Sequence, residues 1–159
     1  MMDLLVVLNW FGAIGCGIMA GVYFTFSTFV MRALSVIEPS SGIKAMQSIN
    51  IVIQKSLFLP LFFGTSLAAL AAVAVSVLVD EVQVSHWMAL AGTIYLVGMF
   101  ICTMTLNIPL NNRLDAVDPK SKEGAEVWEV YLEKWTLRNH IRTVASTLAA
   151  VLFVLALAN

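Results

Sequence analysis

The stretch SLFLPLFFGTSLAALAAVAVSVLV, Ser56 to Val79, contains no charged residue. Wound as an α-helix with a rise of about 1.5 Å per residue, it is longer than the hydrocarbon core of a bilayer, which about 20 residues span. Three further uncharged stretches flank it: Leu4 to Met31, His86 to Asn112, and Thr143 to Asn159. The last is short and must borrow length from the polar segment before it. Nothing alternates in ten-residue units, so a membrane β-barrel is excluded. The expected fold is all-α, a four-helix transmembrane bundle in a single domain over residues 1–159, with spans at about 4–34, 44–79, 86–111 and 139–158.

Composition agrees. Of 159 residues, 60% are hydrophobic and 12% charged, and the mean hydropathy is +0.88. A soluble domain carries roughly 25% charged residues. A water-soluble enzyme, a nucleic-acid binder and a disordered tail each need more polar surface than this chain has. The two cysteines, Cys16 and Cys102, lie in different apolar runs with no CxxC spacing, which reads as reduced packing residues and not as a disulfide or zinc site. The segment before Cys16 loosely imitates a lipoprotein leader. No basic residue precedes it and the apolar run continues to Met31, so the expectation is a first membrane helix.

Charge placement orients the bundle. The nine Lys and Arg residues all fall in two connections, Arg32, Lys44 and Lys55 in one and Arg113, Lys120, Lys122, Lys134, Arg138 and Arg142 in the other. The N-terminus, the short Asp80 to Ser85 turn and the C-terminus carry only Asp3, Asp80 and Glu81. The positive-inside rule then places both termini outside and both basic connections in the cytoplasm, in a plasma (inner) membrane. Asp118-Pro119 reads as a turn, and no proline interrupts Glu123 to Arg142. The fourth helix is therefore expected to begin as a cytoplasmic amphipathic arm over about 123–142; from Glu123 to Ala158 it would measure about 54 Å.

Polar residues converge on the basic side. At 100° per residue, Trp128, Tyr131, Leu132, Trp135, Asn139, Arg142 and Ser146 share one face of the last helix. Gln47, Asn50 and Gln54, continued by Phe58, Leu61 and Thr65, share a face of the second. Asn107 and Asn111 flank Pro109, which is expected to bend or end the third helix. The first helix brings Tyr23 and Ser27 to the same depth, while the outer half of the bundle reads as almost wholly aliphatic. Buried polar groups at one depth form either a structural hydrogen-bond network or the lining of a pocket for a flat, partly polar aromatic molecule. The aromatic stripe also fits an interfacial belt or ordinary packing. His140 lies about 100° off the Trp135–Asn139–Arg142 face, so it points to a neighbouring helix or the interface as readily as to a pocket. His86 starts the third span at the other end, and one histidine with amides is a poor metal set; no metal and no haem is expected. Gly17 and Gly21 form a G-x-x-x-G that packs helices within the chain or between copies, which leaves a homo-oligomer open.

The strings Gly17-Ile-Met-Ala-Gly-Val-Tyr-Phe-Thr-Phe-Ser27, Met46-Gln-Ser-Ile-Asn50, Asn107-Ile-Pro-Leu-Asn-Asn112 and Trp128-x2-Tyr131-x3-Trp135-x3-Asn139-His-x-Arg142-Thr143 resemble the anthrone oxygenase-like family of small four-helix membrane proteins. The likeness runs over nearly the whole chain. It implies a monooxygenase that converts anthrones, tricyclic phenolic ketones, to anthraquinones with molecular oxygen and without cofactors. By this resemblance His140 is the general base, and Arg142 with Asn139 or Asn107 holds the anionic oxygen. Trp128, Tyr131 and Trp135 stack on the rings, and Gln47, Asn50, Asn111 and Tyr23 orient them. The implied partners are a hydrophobic aromatic small molecule and membrane lipid, with no nucleic acid.

Two other classes fit the same residues. One is a non-enzymatic binding or transport protein for a lipid, quinone or other small hydrophobic ligand; with four spans and no inverted repeat, a carrier would need a homodimer. The other is a structural accessory subunit whose polar layer only specifies packing.

Overall fold

A computed structural model describes residues 2–77 and 82–158, with side chains from Leu5 to Val77 and from His86 onward. The helix α1 runs as an α-helix over Met2–Thr25, widens to π-helical turns at Phe26–Val30 and resumes over Met31–Ser35. The short helix α2 spans Pro39–Gln54 and α3 spans Phe58–Ser76. The helix α4 begins at Val82–Tyr95, passes through two π-helical segments, Leu96–Ile101 and Thr103–Asn107, and ends as α-helix Ile108–Asp115. The last, α5, is uninterrupted over Lys122–Ala158. Four of these helical stretches, Leu5–Ser35, Phe58–Ser76, His86–Asp115 and Lys122–Ala158, are long and apolar enough to cross a membrane. Their outward faces carry exposed Phe11, Ile14, Leu67, Leu70, Val97, Val144 and Val151, an exterior suited to lipid and not to water.

Three expectations are corrected. The 44–79 span is two helices, because the chain turns at Lys55 to Leu57. Ser56 Oγ accepts the Phe58 N–H at 3.1 Å and donates to the Ile53 carbonyl at 2.8 Å, and Pro60, which lacks an N–H, falls in the first turn of α3. A single wheel through Gln54 and Phe58 therefore does not hold. Pro109, expected to bend or end its helix, does not end it: it occupies the first turn of the segment Ile108–Asp115, directly after the wide turns of Thr103–Asn107. The half away from the basic connections, expected to be almost wholly aliphatic, also buries Asn9 and Tyr95, at 2% and 0% exposure. Of the expected Asp80 to Ser85 turn, Asp80 and Glu81 lie outside the described residues, as do the side chains of Asp3 and Ser85, and Val82 already belongs to α4.

The bundle has two cores. One lies among the spans, where Cys16, Met19, Phe62, Ala69, Met88, Tyr95, Met99 and Phe153 meet. The other lies at the basic end, where α2 lays Ile43 and Met46 against Met31, Leu114, Val127, Trp128 and Tyr131. The first half of α5 is therefore packed by α2 and the ends of α1 and α4, not free-standing. Local caps set these ends. Ser121 Oγ accepts the Gly124 N–H at 2.9 Å to start α5. The Glu38 carboxylate caps α2 through the Ser41 N–H at 3.1 Å. The Ser40 hydroxyl, then backbone N–H groups, hold the exposed Glu38 carboxyl below the usual carboxylate range. This cap thus supports α2 above the ordinary carboxylate pKa and weakens as pH falls through the lowered value.

Close approach of helices rests on glycine at some positions and not at others. A Cβ on Gly92 would stand 2.5 Å from the Ala69 carbonyl oxygen, whereas Gly17 and Gly21 face open space. Gly92→Val is expected to destabilise the protein by roughly 1–3 kcal/mol through overpacking. Gly17→Ala should instead raise stability by up to about 1 kcal/mol. Thermal unfolding in detergent checks both, and equal effects at the two positions would contradict this packing.

Candidate functional site

A cavity of about 340 Å³ lies at the seam between the two cores. That is within the range of small-molecule pockets, roughly 300–1,000 Å³. Its walls come from every helix: Tyr23 and Phe26 of α1, Met46, Ile49 and Asn50 of α2, Phe58 and Phe62 of α3, Thr103, Met104 and Asn111 of α4, and Trp135 and Arg142 of α5. The wide turns of α1 and α4 bracket it, supplying Phe26, Thr103 and Met104. Such turns recur at functional sites because they open a helix where a regular one would close.

Arg142 dominates the chemistry. Its side chain is 4% exposed. The guanidinium lies 4.3 Å from the centroid of the Tyr23 ring and 5.0 Å from that of Trp135. Its Nη2 donates to Asn139 Oδ1 at 2.7 Å and its Nη1 to Thr103 Oγ1 at 3.4 Å, while Nε has no partner. No carboxylate neutralises it: among the described residues the one ion pair is Lys122 with Glu126, exposed and 3.9 Å apart. Aromatic faces return about 0.5–2 kcal/mol each, less than the several kcal/mol that desolvating an ion costs.

Asn139 is the strut behind this charge. Its amide donates to the Tyr23 carbonyl and to Ser27 Oγ, both at 2.7 Å, and its oxygen takes Arg142. Ser27 in turn bonds Thr143 at 3.0 Å. The α1–α5 contact and the aim of Arg142 are thus one network. On the opposite wall Asn111, which lines the cavity, accepts at Oδ1 from the Tyr131 hydroxyl at 2.9 Å and from Trp135 Nε1 at 2.8 Å. Asn50, 3% exposed, keeps an unpartnered buried Nδ2. The lining therefore holds one positive charge, neutral amides and hydroxyls, and no carboxylate.

The structure brings together Tyr23, Asn50, Asn111, Trp135 and Arg142 from the expected site, with Asn139 behind them. It sets five others apart. His140 is exposed and lines an open apolar groove with Ile94, Val97 and Gly98 of α4 on the bundle's exterior. No interruption in α5 turns it inward, so the 100° offset from Asn139 stands and His140 does not line the cavity. Trp128 and Tyr131 stack on each other at 5.7 Å, and Tyr131 on Trp135 at 5.6 Å; of the three only Trp135 reaches the cavity. Gln47 donates to the Leu114 and Val117 carbonyls at 2.9 and 3.2 Å, closing the end of α4. Asn107 donates to the Trp135 carbonyl at 3.3 Å. Sequence reasoning missed Phe26, Phe62 and Thr103. A helical wheel cannot place Phe26 and Thr103, which lie in π-helical turns whose extra residue rotates everything beyond it, and Phe62 follows the break at Lys55 to Leu57. Among the described residues no three His, Cys, Asp or Glu side chains gather where they could hold a metal ion.

Replacing Asn139 by Ala leaves Arg142 Nη2 and Ser27 short of a partner. The expected loss is roughly 1–3 kcal/mol of stability, read as a lower melting temperature in detergent; an unchanged transition would contradict the strut.

A protein-family model described as anthrone oxygenase matches residues 51–152, which include Thr103, Asn111, Trp135, Asn139 and Arg142. No curated protein and no solved structure matches the chain.

Proposed function

The chain belongs to the anthrone oxygenase family, and from that membership and the cavity we propose that it is a membrane-embedded oxygenase of a flat, hydrophobic, acidic aromatic ketone or related quinol. The observation that carries this reading is Arg142: a buried cation without a carboxylate, at the wall of a mostly apolar cavity. Such a site favours a ligand that arrives as, or becomes, an oxyanion. It selects the enolate or phenolate of the substrate, with the proton leaving to water. Phe58, Phe62 and Trp135 supply apolar and aromatic surface for the rings.

The electron-rich anion then passes one electron to O2, and the resulting radical and superoxide combine at the ring methylene carbon. Loss of water from that peroxide gives the quinone. The peroxide anion takes a proton back from water; one oxygen atom ends in the new carbonyl, and the other leaves as water with that proton and the remaining methylene hydrogen. Arg142 stabilises negative charge in both the enolate and the peroxide, and Asn139 and Thr103 keep it aimed. The bilayer, basic-side-inward orientation read from charge placement completes the reading: the cavity lies in the cytoplasmic half.

Oxygen uptake by purified protein with an anthrone checks the proposal. Arg142→Gln is expected to lower turnover by about 10²–10³, while His140→Ala, on the outer face, leaves it unchanged. Full activity in Arg142→Gln would remove the mechanism. The lining holds no carboxylate or imidazole, an observation that favours a second reading, a non-catalytic binder or carrier of lipophilic anions. Tight binding of an anthrone without oxygen uptake identifies that case.

A further inference from the structure

The two helices α3 and α4 are close-packed in only one half of the bundle. There Gly92 lies against the Ala69 carbonyl, with Ala68, Ala72 and Ala91 buried around it. Toward the basic end α4 follows α5 instead. Gly98 packs on Ala145, the Cys102 thiol reaches the Arg138 carbonyl at 3.8 Å, Asn107 bonds the Trp135 carbonyl, and Arg138 donates to the Leu106 carbonyl at 2.8 Å. The α3 helix packs on the Leu96–Ile101 turns and makes no comparable contact with Thr103–Asp115. The polar bonds to α5 and the π-helical turns thus draw the second half of α4 away from α3, and the cavity lies in the gap.

The rim of that gap has two characters. Phe63 and Met104 both line the cavity and yet are 47% and 43% exposed, on the outward surface of helices long enough to span a membrane. Gln54 and Asn112, also lining and exposed, stand at the end of the gap nearest the basic connections. Phe62 stacks on Phe100 at 5.4 Å and meets Phe63 edge to face at 5.1 Å, which gives the passage an aromatic wall leading toward the cavity.

From this arrangement we infer that the gap between α3 and α4 is a lateral portal, through which a bilayer-dissolved fused-ring amphiphile slides between Phe63 and Met104 until its acidic edge meets Arg142. This rests on the cavity being the substrate site. The apolar rim admits rings directly from the acyl-chain region, so the substrate need not cross water. The amide rim lies where polar substituents and the released proton reach the interface. The substrate class follows: planar, poorly water-soluble, with its ionisable group on one edge and the opposite edge apolar.

The test uses the full chain in lipid nanodiscs with 1,8-dihydroxyanthraquinone predissolved in the lipid as the probe. A Met104→Cys variant is modified with benzyl methanethiosulfonate; the native Cys16 and Cys102 are buried. Binding is followed by the change in probe absorbance after mixing. Modification is expected to slow binding at least about tenfold, with recovery on adding dithiothreitol. The same modification of Val144→Cys, on the exterior of α5, should leave the rate unchanged. A Met104→Trp variant, narrowed without chemistry, should bind slowly as well. An unchanged rate in both blocked Met104 variants, with binding intact, overturns the portal and leaves the cavity reading standing. Failure of the probe to bind the unmodified wild-type chain overturns both.

Discussion

A buried guanidinium without a carboxylate is the constraint on which the rest of the structure depends. Removing Arg142 from water costs several kcal/mol, and the protein offsets this with one strong amide bond, one long hydroxyl bond and two aromatic faces. Each partner has to be held in turn. Asn139 is held by the Tyr23 carbonyl and Ser27, Trp135 by Asn111 and Phe26, and Thr103 by the Met99 carbonyl. Helices α1, α4 and α5 are thereby tied at one level by bonds that all serve the same charge. The remaining deficit is a negative charge, which is what a ligand would bring.

The two-core arrangement explains why a cavity survives in so small a protein. A single close-packed core leaves few voids. Here the span core is built from small residues and methionines around Phe62, Tyr95 and Phe153, and the basic-end core from a stack of aromatic rings against α2. Their seam has α3 on one side and the displaced half of α4 on the other. The helix α2, capped by Glu38 and ended at Ser56, forms its floor.

Much of this was legible beforehand, for reasons of scale. Charge-free stretches mark spans by length alone, and the stripe from Trp128 to Arg142 stays true to a wheel because α5 has no interruption. The same regularity showed His140 to be off that stripe, and the structure places it outside the cavity. What was not legible depended on breaks in regularity. Ser56 breaks the helix inside the stretch 44–79 that reads as one span, and the π-helical turns of α4 rotate Thr103 and Met104 onto the cavity. The fate of amides was also hidden: Gln47 and Asn107 look like pocket residues by type and depth, and both spend their donors on backbone carbonyls. The donors at issue near the cavity, Asn50 Nδ2 and Arg142 Nε, are recognisable only once their lack of partners is known.

If Arg142 exists to hold an oxyanion, a phenolic ligand in the cavity must ionise more readily than it does in detergent or lipid. The direct measurement is a spectrophotometric pH titration of 1,8-dihydroxyanthraquinone bound to the protein, with Arg142→Gln and the protein-free membrane as references. The account predicts that the phenol's pKa on the wild-type chain falls by about one unit or more, each unit being worth ~1.4 kcal/mol, and that the fall disappears in Arg142→Gln. A bound phenol whose pKa is unmoved, or raised as in an ordinary apolar pocket, contradicts it.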